Sequence, residues 1–322
     1  MKIGLFGTGA FGLALSSILT DNNHEIVMWT KFIEEKKLLD KEKTNDVLLK
    51  GYYLKNNIKI TTDIRECIEG SDLLIVAIPV PFMESLFKSL TPFIKDNHII
   101  IASKGINENN LLPSDLVKKY LNTENYGILG GPTFAVDVIE KKPLAFTLAV
   151  NNDVTRELTM KAFANNYVKI KTTKDIRGVE LSGALKNVYA IISGVLEGLS
   201  VTDSTKALFF SEALYDLCYI LDKLDADVVT AMSYAGLGDF LLTCSSTNSR
   251  NYSFGKLIGE GCTKEAQEEF LKKTTTEGYH TLKYLLNILN ANNISVPIIN
   301  KLDDIINNRE KPEKLLEILM LK

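Results

Sequence analysis

The sequence predicts an α/β fold: an N-terminal, mostly parallel sheet with helices on both faces, followed by an all-helical C-terminal domain. Three observations predict it. Short apolar runs alternate with helical patterns through the first half, which is how a parallel sheet covered on both faces reads. A glycine-rich turn, Gly7-Thr8-Gly9-Ala10-Phe11-Gly12, joins the first run to the first helical pattern. From Val179 onward strand alternation disappears and long helical stretches follow one another. The expected domains are 1–175 and 176–322, and at 322 residues two cores are anyway more natural than one.

In chain order, runs at 2–6, 25–30, 58–61, 72–78, 98–103 and 126–129 read as strands bounded by turn residues. Between them, 10–19 and 82–94 carry leucines and phenylalanines three or four positions apart, the spacing of a helix with one apolar face. Two further strand-like runs, 144–150 and 167–171, flank a helical segment starting near Asp153 and extend the sheet. There is no internal repeat and no Pro/Gly-rich linker at the junction, so the two domains are expected to pack closely with a ligand between them.

Composition excludes several classes. With 37 basic and 40 acidic residues the net charge is -3, which supplies no footprint for nucleic acid or an anionic membrane. The four cysteines (Cys67, Cys218, Cys244, Cys262) form no CxxC pair and there are three histidines, so neither a zinc cluster nor a disulfide framework is expected. No charge-free apolar stretch of about 18 residues occurs, so no membrane span is expected. The N-terminus lacks a small-residue cleavage site, and a cytoplasmic, reducing location fits. A homodimer is left open.

The glycine turn follows a strand and opens a helix, the context in which GxGxxG reads as a Rossmann-like dinucleotide site. Gly7 permits the turn, Gly9 lets backbone approach a pyrophosphate, and Gly12 lets helix pack on strand. The pyrophosphate then rests on the helix N-terminus, where unpaired amides favour negative charge. About 20 positions further on, an acid usually binds the ribose 2′-hydroxyl, whereas a cation accommodates a 2′-phosphate. Here the strand ends Met28-Trp29-Thr30-Lys31. That tilts the expectation toward NADP, or toward indifference between NADP and NAD; a merely surface-exposed Lys31 is the plainer alternative.

Lys186 lies in a segment, 181–196, so apolar around its circumference that it should be buried. Ser182, Lys186, Tyr189 and Ser193 form a polar stripe three or four positions apart, expected to face a cleft. Desolvation and a neighbouring cation would bring such a lysine toward general acid-base work; a snorkelling lysine is the alternative. Lys104 follows the strand at 98–103, at the sheet edge where ligands of open parallel sheets bind, and 130–135 (GGPTFA) offers flexible backbone and a hydroxyl at that edge. Finally, 235–251 collects Asp239, two hydroxyl clusters and Arg250-Asn251. Asp239 suits a lysine or substrate hydroxyl, while Ser249, Arg250 and Asn251 suit a phosphate. A helix cap at 249 or 251 accounts for part of this and gives Arg250 no role.

Over nearly its whole length the chain resembles the bacterial-type glycerol-3-phosphate dehydrogenases. The resemblance is carried by GTGAFG, the ASKGI around Lys104, GGPTFA, the LSGALKNVYAI around Lys186, the AGLGD ending at Asp239, the TCSSTNSRN ending at Asn251 and the TTEG containing Glu277. That family reduces dihydroxyacetone phosphate reversibly with NADH or NADPH, and feeds phospholipid synthesis. The resemblance implies that Lys186 donates and accepts the proton, that Lys104 and Asp239 position the reacting oxygen, and that Thr243 assists. It implies that Gly131 and Thr133 touch substrate, that Ser249, Arg250 and Asn251 hold its phosphate, and that Ala10, Phe11, Lys31, Lys104, Ala135, Arg250 and Glu277 line the cofactor beside Gly7, Gly9 and Gly12. One departure stands out: Val201-Thr-Asp-Ser-Thr-Lys206 replaces the family's common Gly-Asp-Asn-Ala-Lys, which bears on a local hinge or helix start. The competing readings are a ketopantoate reductase or hydroxyacid dehydrogenase of the same build, whose substrates lack a phosphate, and a non-catalytic dinucleotide sensor, which would have lost its polar residues.

Overall fold

The computed structural model describes residues 1–321. The chain divides into two compact units, Met1–Lys104 with Pro113–Ile176, and Gly105–Leu112 with Arg177–Lys322.

The first unit holds an eight-stranded sheet in the order β3-β2-β1-β4-β5-β6-β7-β8. The strands are β1 (Lys2–Phe6), β2 (Glu25–Trp29), β3 (Ile58–Thr61), β4 (Leu73–Val76), β5 (Ile99–Ile101), β6 (Tyr126–Gly130), β7 (Leu144–Val150) and β8 (Val168–Thr173). Its helices are α1 (Ala10–Asp21), α2 (Ile33–Glu42), α3 (Ile64–Ile68), α4 (Met83–Leu90), α5 (Pro113–Tyr120), α6 (Ala135–Ile139) and α7 (Asp153–Phe163). The order reverses between β1 and β4, both of which run parallel to their neighbours. Only β6 and β7 pair antiparallel among the described residues. Central β4 and β5 are buried at every position, the mark of a strand covered on both faces; edge strand β8 alternates, with Lys169 and Lys171 on its open side.

The strands at 72–78 and 98–103 prove shorter than the apolar runs that announce them. Beyond Val76 the chain reaches Pro79, which has no N–H to give a ladder, and turns into a 3-10 segment, Val80–Phe82. The helix expected at 82–94 closes at Leu90, where the Thr91 hydroxyl donates to the Phe87 carbonyl at 2.9 Å.

The second unit is helical: α8 (Ile176–Gly198), α9 (Asp203–Lys223), α10 (Asp239–Cys244), α11 (Arg250–Gly259), α12 (Lys264–Lys273), α13 (Glu277–Ala291), α14 (Pro297–Ile306) and α15 (Lys314–Leu319). Ile106 and Leu112, from the segment after Lys104, join its core. At the departure from the family pattern the helix start survives: Thr202 accepts from the Thr205 N–H at 3.3 Å and caps α9. α8 is long and apolar enough to cross a membrane by length and composition alone, yet its apolar window is wholly buried inside the fold.

From 178 to 196 α8 is buried at every position, and the residues of its polar stripe meet different partners. Tyr189 is a core residue whose ring meets Phe240 and Phe209 at 5.8 and 6.4 Å. Ser193 donates to the Cys244 carbonyl at 2.6 Å. Polar spacing alone therefore does not decide which of these residues a ligand meets.

Candidate active site

In the sheet unit the glycine turn sits at the C-terminal end of β1, where the strand order reverses, and open α/β sheets bind ligands there. Gly7 has φ +117°, and a Cβ on it would lie 2.5 Å from the Ala77 carbonyl oxygen, so the turn tolerates no side chain. A Cβ on Gly12 would lie 2.2 Å from the Gly7 oxygen, which is why α1 can press onto its own turn. Gly9 differs: a Cβ there meets nothing within 4 Å. The protein does not fill that space. α1 has no side-chain cap and no acidic residue in its first turn, so its first N–H groups and positive dipole end suit an anion. A dinucleotide pyrophosphate fits this cradle. Phe11 and Ala135 pack against the sheet core beside it, and Lys31 is exposed just past β2.

Along the same strand ends, Lys104 follows β5 and its Nζ donates to the Gly131 carbonyl at 3.4 Å. The Thr133 hydroxyl donates to that carbonyl too, at 3.4 Å. Gly131 is glycine for packing, because a Cβ would stand 2.3 Å from the Ala145 oxygen across β7. Lys104 and Thr133 therefore converge on the carbonyl of Gly131, and all three were singled out in sequence.

In the helical unit Lys186 is buried on α8. Its Nζ donates to Asp239 Oδ1 at 2.6 Å and to Thr243 Oγ1 at 2.9 Å. The Thr243 hydroxyl in turn donates to the Asp239 carbonyl at 2.7 Å. Asp239 and Thr243 stand four apart on α10 and so share a face. The turn before α10 delivers Asp239: the Gly236 N–H donates to Ser233 Oγ at 3.0 Å, and Gly236 comes so close to the preceding turn that a Cβ would lie 2.3 Å from the Ala231 oxygen. The pair's side chains are 9% and 2% exposed; a buried pair has to replace its lost hydration with partners and hydrogen bonds inside the protein. Burial pushes the neighbouring Cys244 thiol well up, against the lowering pull of Lys186, so it remains a packing group rather than a nucleophile.

Asn187, next along α8, organises a second network. Its Nδ2 donates to Glu277 Oε2 at 3.2 Å, and its Oδ1 accepts from Asn251 Nδ2 at 3.0 Å. Asn251 Oδ1 accepts from the Gly278 N–H at 2.9 Å. Ser249 caps α11, accepting from the Tyr252 N–H at 3.3 Å, and Arg250 is exposed at the first position of that helix. The cap and a phosphate grip are compatible, since a capped helix N-terminus retains amides and a dipole that favour an anion.

What fixes α11 against α8 is glycine. A Cβ on Gly194 would lie 2.0 Å from the Tyr252 oxygen, on Gly255 1.9 Å from the Ile191 oxygen, on Gly198 2.4 Å from the Lys256 oxygen, and on Gly259 2.2 Å from the Val195 oxygen. The two helices touch backbone to backbone. A Cβ on Gly278 would likewise stand 2.4 Å from the Asn187 oxygen. Sequence reasoning passed over these positions and the networking role of Asn187. The signal was present: Gly-x-x-x-Gly occurs once in each helix, at 194–198 and 255–259, and small residues one turn apart permit close crossing.

A doubly wound sheet with a glycine cradle at its switch point, carried with a helical unit whose buried lysine is paired to a carboxylate, has the parts of a dinucleotide-dependent oxidoreductase. Comparison with known proteins gives the family. The model described as NAD-dependent glycerol-3-phosphate dehydrogenase N-terminus matches residues 2–156, and the one described as its C-terminus matches residues 175–317. A glycerol-3-phosphate dehydrogenase [NAD(P)+] of Staphylococcus epidermidis is 32% identical over 325 residues, covering 99% of this chain and 97% of that protein. One of Agathobacter rectalis is 31% identical over 324 residues, covering 100% and 96%. The crystal structure of a glycerol-3-phosphate dehydrogenase from Coxiella burnetii superposes with a TM-score of 0.93 at 23% identity, covering 100% of this chain and 99% of that one, which shows the shared fold. The chain belongs to the NAD-dependent glycerol-3-phosphate dehydrogenase family, and its cofactor is NAD(P).

Proposed function

We propose that this chain reduces dihydroxyacetone phosphate to sn-glycerol 3-phosphate, reversibly, with Lys186 as the proton donor, and that the product supplies glycerophospholipid synthesis in the cytoplasm. The observation that carries the reading is the buried ammonium of Lys186, held by Asp239 and Thr243.

When bound, the reduced nicotinamide supplies a hydride. The protein's own work is to hold the ketone oxygen near an acid that is ionised at rest. Asp239 keeps Lys186 an ammonium despite burial, and Thr243 fixes its direction. As the carbonyl oxygen gathers electron density, the ammonium stabilises it and passes a proton to it, leaving a neutral amine beside Asp239 that solvent reprotonates. A cation aimed at an oxyanion in a water-poor site is worth roughly 3 kcal/mol. In the reverse direction the amine takes the hydroxyl proton.

Lys104 joins Asp239 in positioning the reacting oxygen. Gly131 and Thr133 touch substrate, and Ser249, Arg250 and Asn251 grip its phosphate with the N-terminus of α11. Gly7, Gly9, Ala10, Phe11 and Gly12 hold the pyrophosphate, with Lys31, Lys104, Ala135, Arg250 and Glu277 as further cofactor contacts. Most of the nucleotide contacts fall before about residue 175 and most of the substrate contacts after it. A homodimer is compatible with all of these roles.

Purified protein mixed with dihydroxyacetone phosphate and NADH or NADPH should bleach the reduced-nicotinamide band, and no loss with either cofactor sinks the reading. Unphosphorylated dihydroxyacetone should lose about 100-fold or more in kcat/KM, because binding energy from the phosphate is used at the reacting centre. Equal turnover of the two ketones would remove the phosphate grip.

A further inference from the structure

β2 ends at Trp29, on the strand beside the glycine turn. In a doubly wound sheet the adenosine ribose of a dinucleotide comes down here, and a carboxylate at this place accepts the ribose hydroxyls and repels a 2′-phosphate. The strand end itself carries Trp29, Thr30 and Lys31 and no acid. The fold brings one in from the following helix. Thr30 is only 3% exposed, and its N–H donates to the Thr61 carbonyl at 3.0 Å, which fixes its backbone as a continuation of the strand. Its hydroxyl donates to the Glu35 carboxylate while accepting from the Phe32 N–H at 3.2 Å.

Glu35 lies in the first turn of α2, near the positive end of the helix dipole. The other charges of that helix neutralise one another: Lys37 pairs with Glu34 at 2.9 Å, and Lys36 pairs with Asp40. Among the described residues no cation is paired with Glu35. A half-buried carboxylate, tethered to the strand end by a buried hydroxyl and left without a counterion, is a ready acceptor for a neutral diol.

We infer that Glu35, delivered to the end of β2 by Thr30, is the acceptor for the adenosine ribose hydroxyls, and that it offsets Lys31 so that the site takes NADH at least as well as NADPH. This rests on the nucleotide lying over the glycine turn. It reverses the tilt toward NADP drawn from Lys31 alone. Glu35 is a specificity determinant here, and Thr30 a positioning residue.

Trp29, the chain's single tryptophan, has its indole N–H bonded to the Thr62 carbonyl at 3.1 Å and reports on this corner directly. Quenching of its fluorescence by NADH and by NADPH, titrated without substrate, yields both dissociation constants whatever ketone the enzyme uses. Glu35→Gln keeps an acceptor for Thr30 and removes only the charge. It should shift the NADH-to-NADPH preference toward NADPH by about tenfold, and Lys31→Ala should shift it the opposite way. A ratio that moves less than twofold in Glu35→Gln, or equal weakening of both cofactors, overturns the inference. Wild-type protein that binds neither cofactor overturns the nucleotide site and the inference with it; tight binding with no ketone reduction overturns only the proposed reaction.

Discussion

In the sheet unit a methyl group placed on Gly9 would meet nothing within 4 Å, whereas in the helical unit the same methyl on Gly255 would lie 1.9 Å from the Ile191 carbonyl oxygen. Both residues are glycine, for opposite reasons. Gly9 has φ -66°, a backbone any residue adopts, so the fold does not require glycine there, and the proposed nucleotide site gives the space a use. Gly255 leaves no space at all; its missing side chain is occupied by a neighbouring helix. The glycine turn is an open cradle, and the helical unit holds two hydrogen-bonded networks, Lys186 with Asp239 and Thr243, and Asn187 with Asn251 and Glu277. Mutations in the first should speak through binding, and in the second through chemistry and stability.

Four experiments would break or sharpen that contrast. The largest effect belongs to Lys186→Ala, which should lower kcat by roughly 1,000-fold or more while leaving NADH and NADPH binding intact. A near-normal rate would take Lys186 out of the proton-transfer role, and lost cofactor binding would blur the division of labour.

Next is Gly255→Ala, expected to destabilise by about 3 kcal/mol as α11 is forced off α8, read as a lowered midpoint in denaturant. An unchanged midpoint would mean that the helices separate at little cost. Gly9→Ala is its counterpart: stability within about 0.5 kcal/mol of wild type, with cofactor dissociation constants raised about tenfold. If Gly9→Ala unfolds the protein or binds cofactor normally, the cradle is not a ligand space.

The smallest effect concerns Asp216, packed in the filled unit near Tyr189. Burial pushes its carboxyl up to about 6, with Glu212 adding to the rise and Tyr189 opposing it. The Tyr189 hydroxyl lies in electrostatic range of Asp216 but outside hydrogen-bond geometry. A folded-state value above the unfolded 3.8 means that the native state binds the proton more tightly. Its contribution is therefore complete below about pH 4 and is lost as pH rises through about 6. Asp216→Asn should add about 1 kcal/mol at pH 7.5, after allowance for solvent screening, or roughly 2 °C in Tm, and almost nothing at pH 4. A gain that grows toward acid would contradict the sign.

The sheet was legible because its information is local. β1, β3 and β7 fall where the apolar runs lie, and the glycine turn sits between β1 and α1 as its spacing requires. Lys186 stood out for a similar reason, since a charge in an apolar helix is visible without any partner. Partners themselves were not legible. Ser182, Lys186, Tyr189 and Ser193 share one spacing, yet Lys186 meets a carboxylate, Tyr189 meets aromatic rings and Ser193 meets a backbone carbonyl; helical periodicity fixes a direction around the axis and says nothing of what waits there. Glu35 was hidden differently. An acid is expected at the strand end itself, whereas Glu35 belongs to the next helix and is held to that end by Thr30.

The backbone contact between α8 and α11 carries a last consequence, for how the molecule can vary. Glycines at 194, 198, 255 and 259 set the spacing between the helix that carries Lys186 and the helix that opens at Arg250. No rotamer lies between the two backbones, so the gap is ruled by main-chain van der Waals radii, not by any side chain's freedom. The turn at 233–238 delivers Asp239, but elsewhere in the connecting chain, at 199–202 before α9, length could change without altering that gap. Insertions there are a matter for solubility and expression; a single methyl at the crossing is a matter for the site.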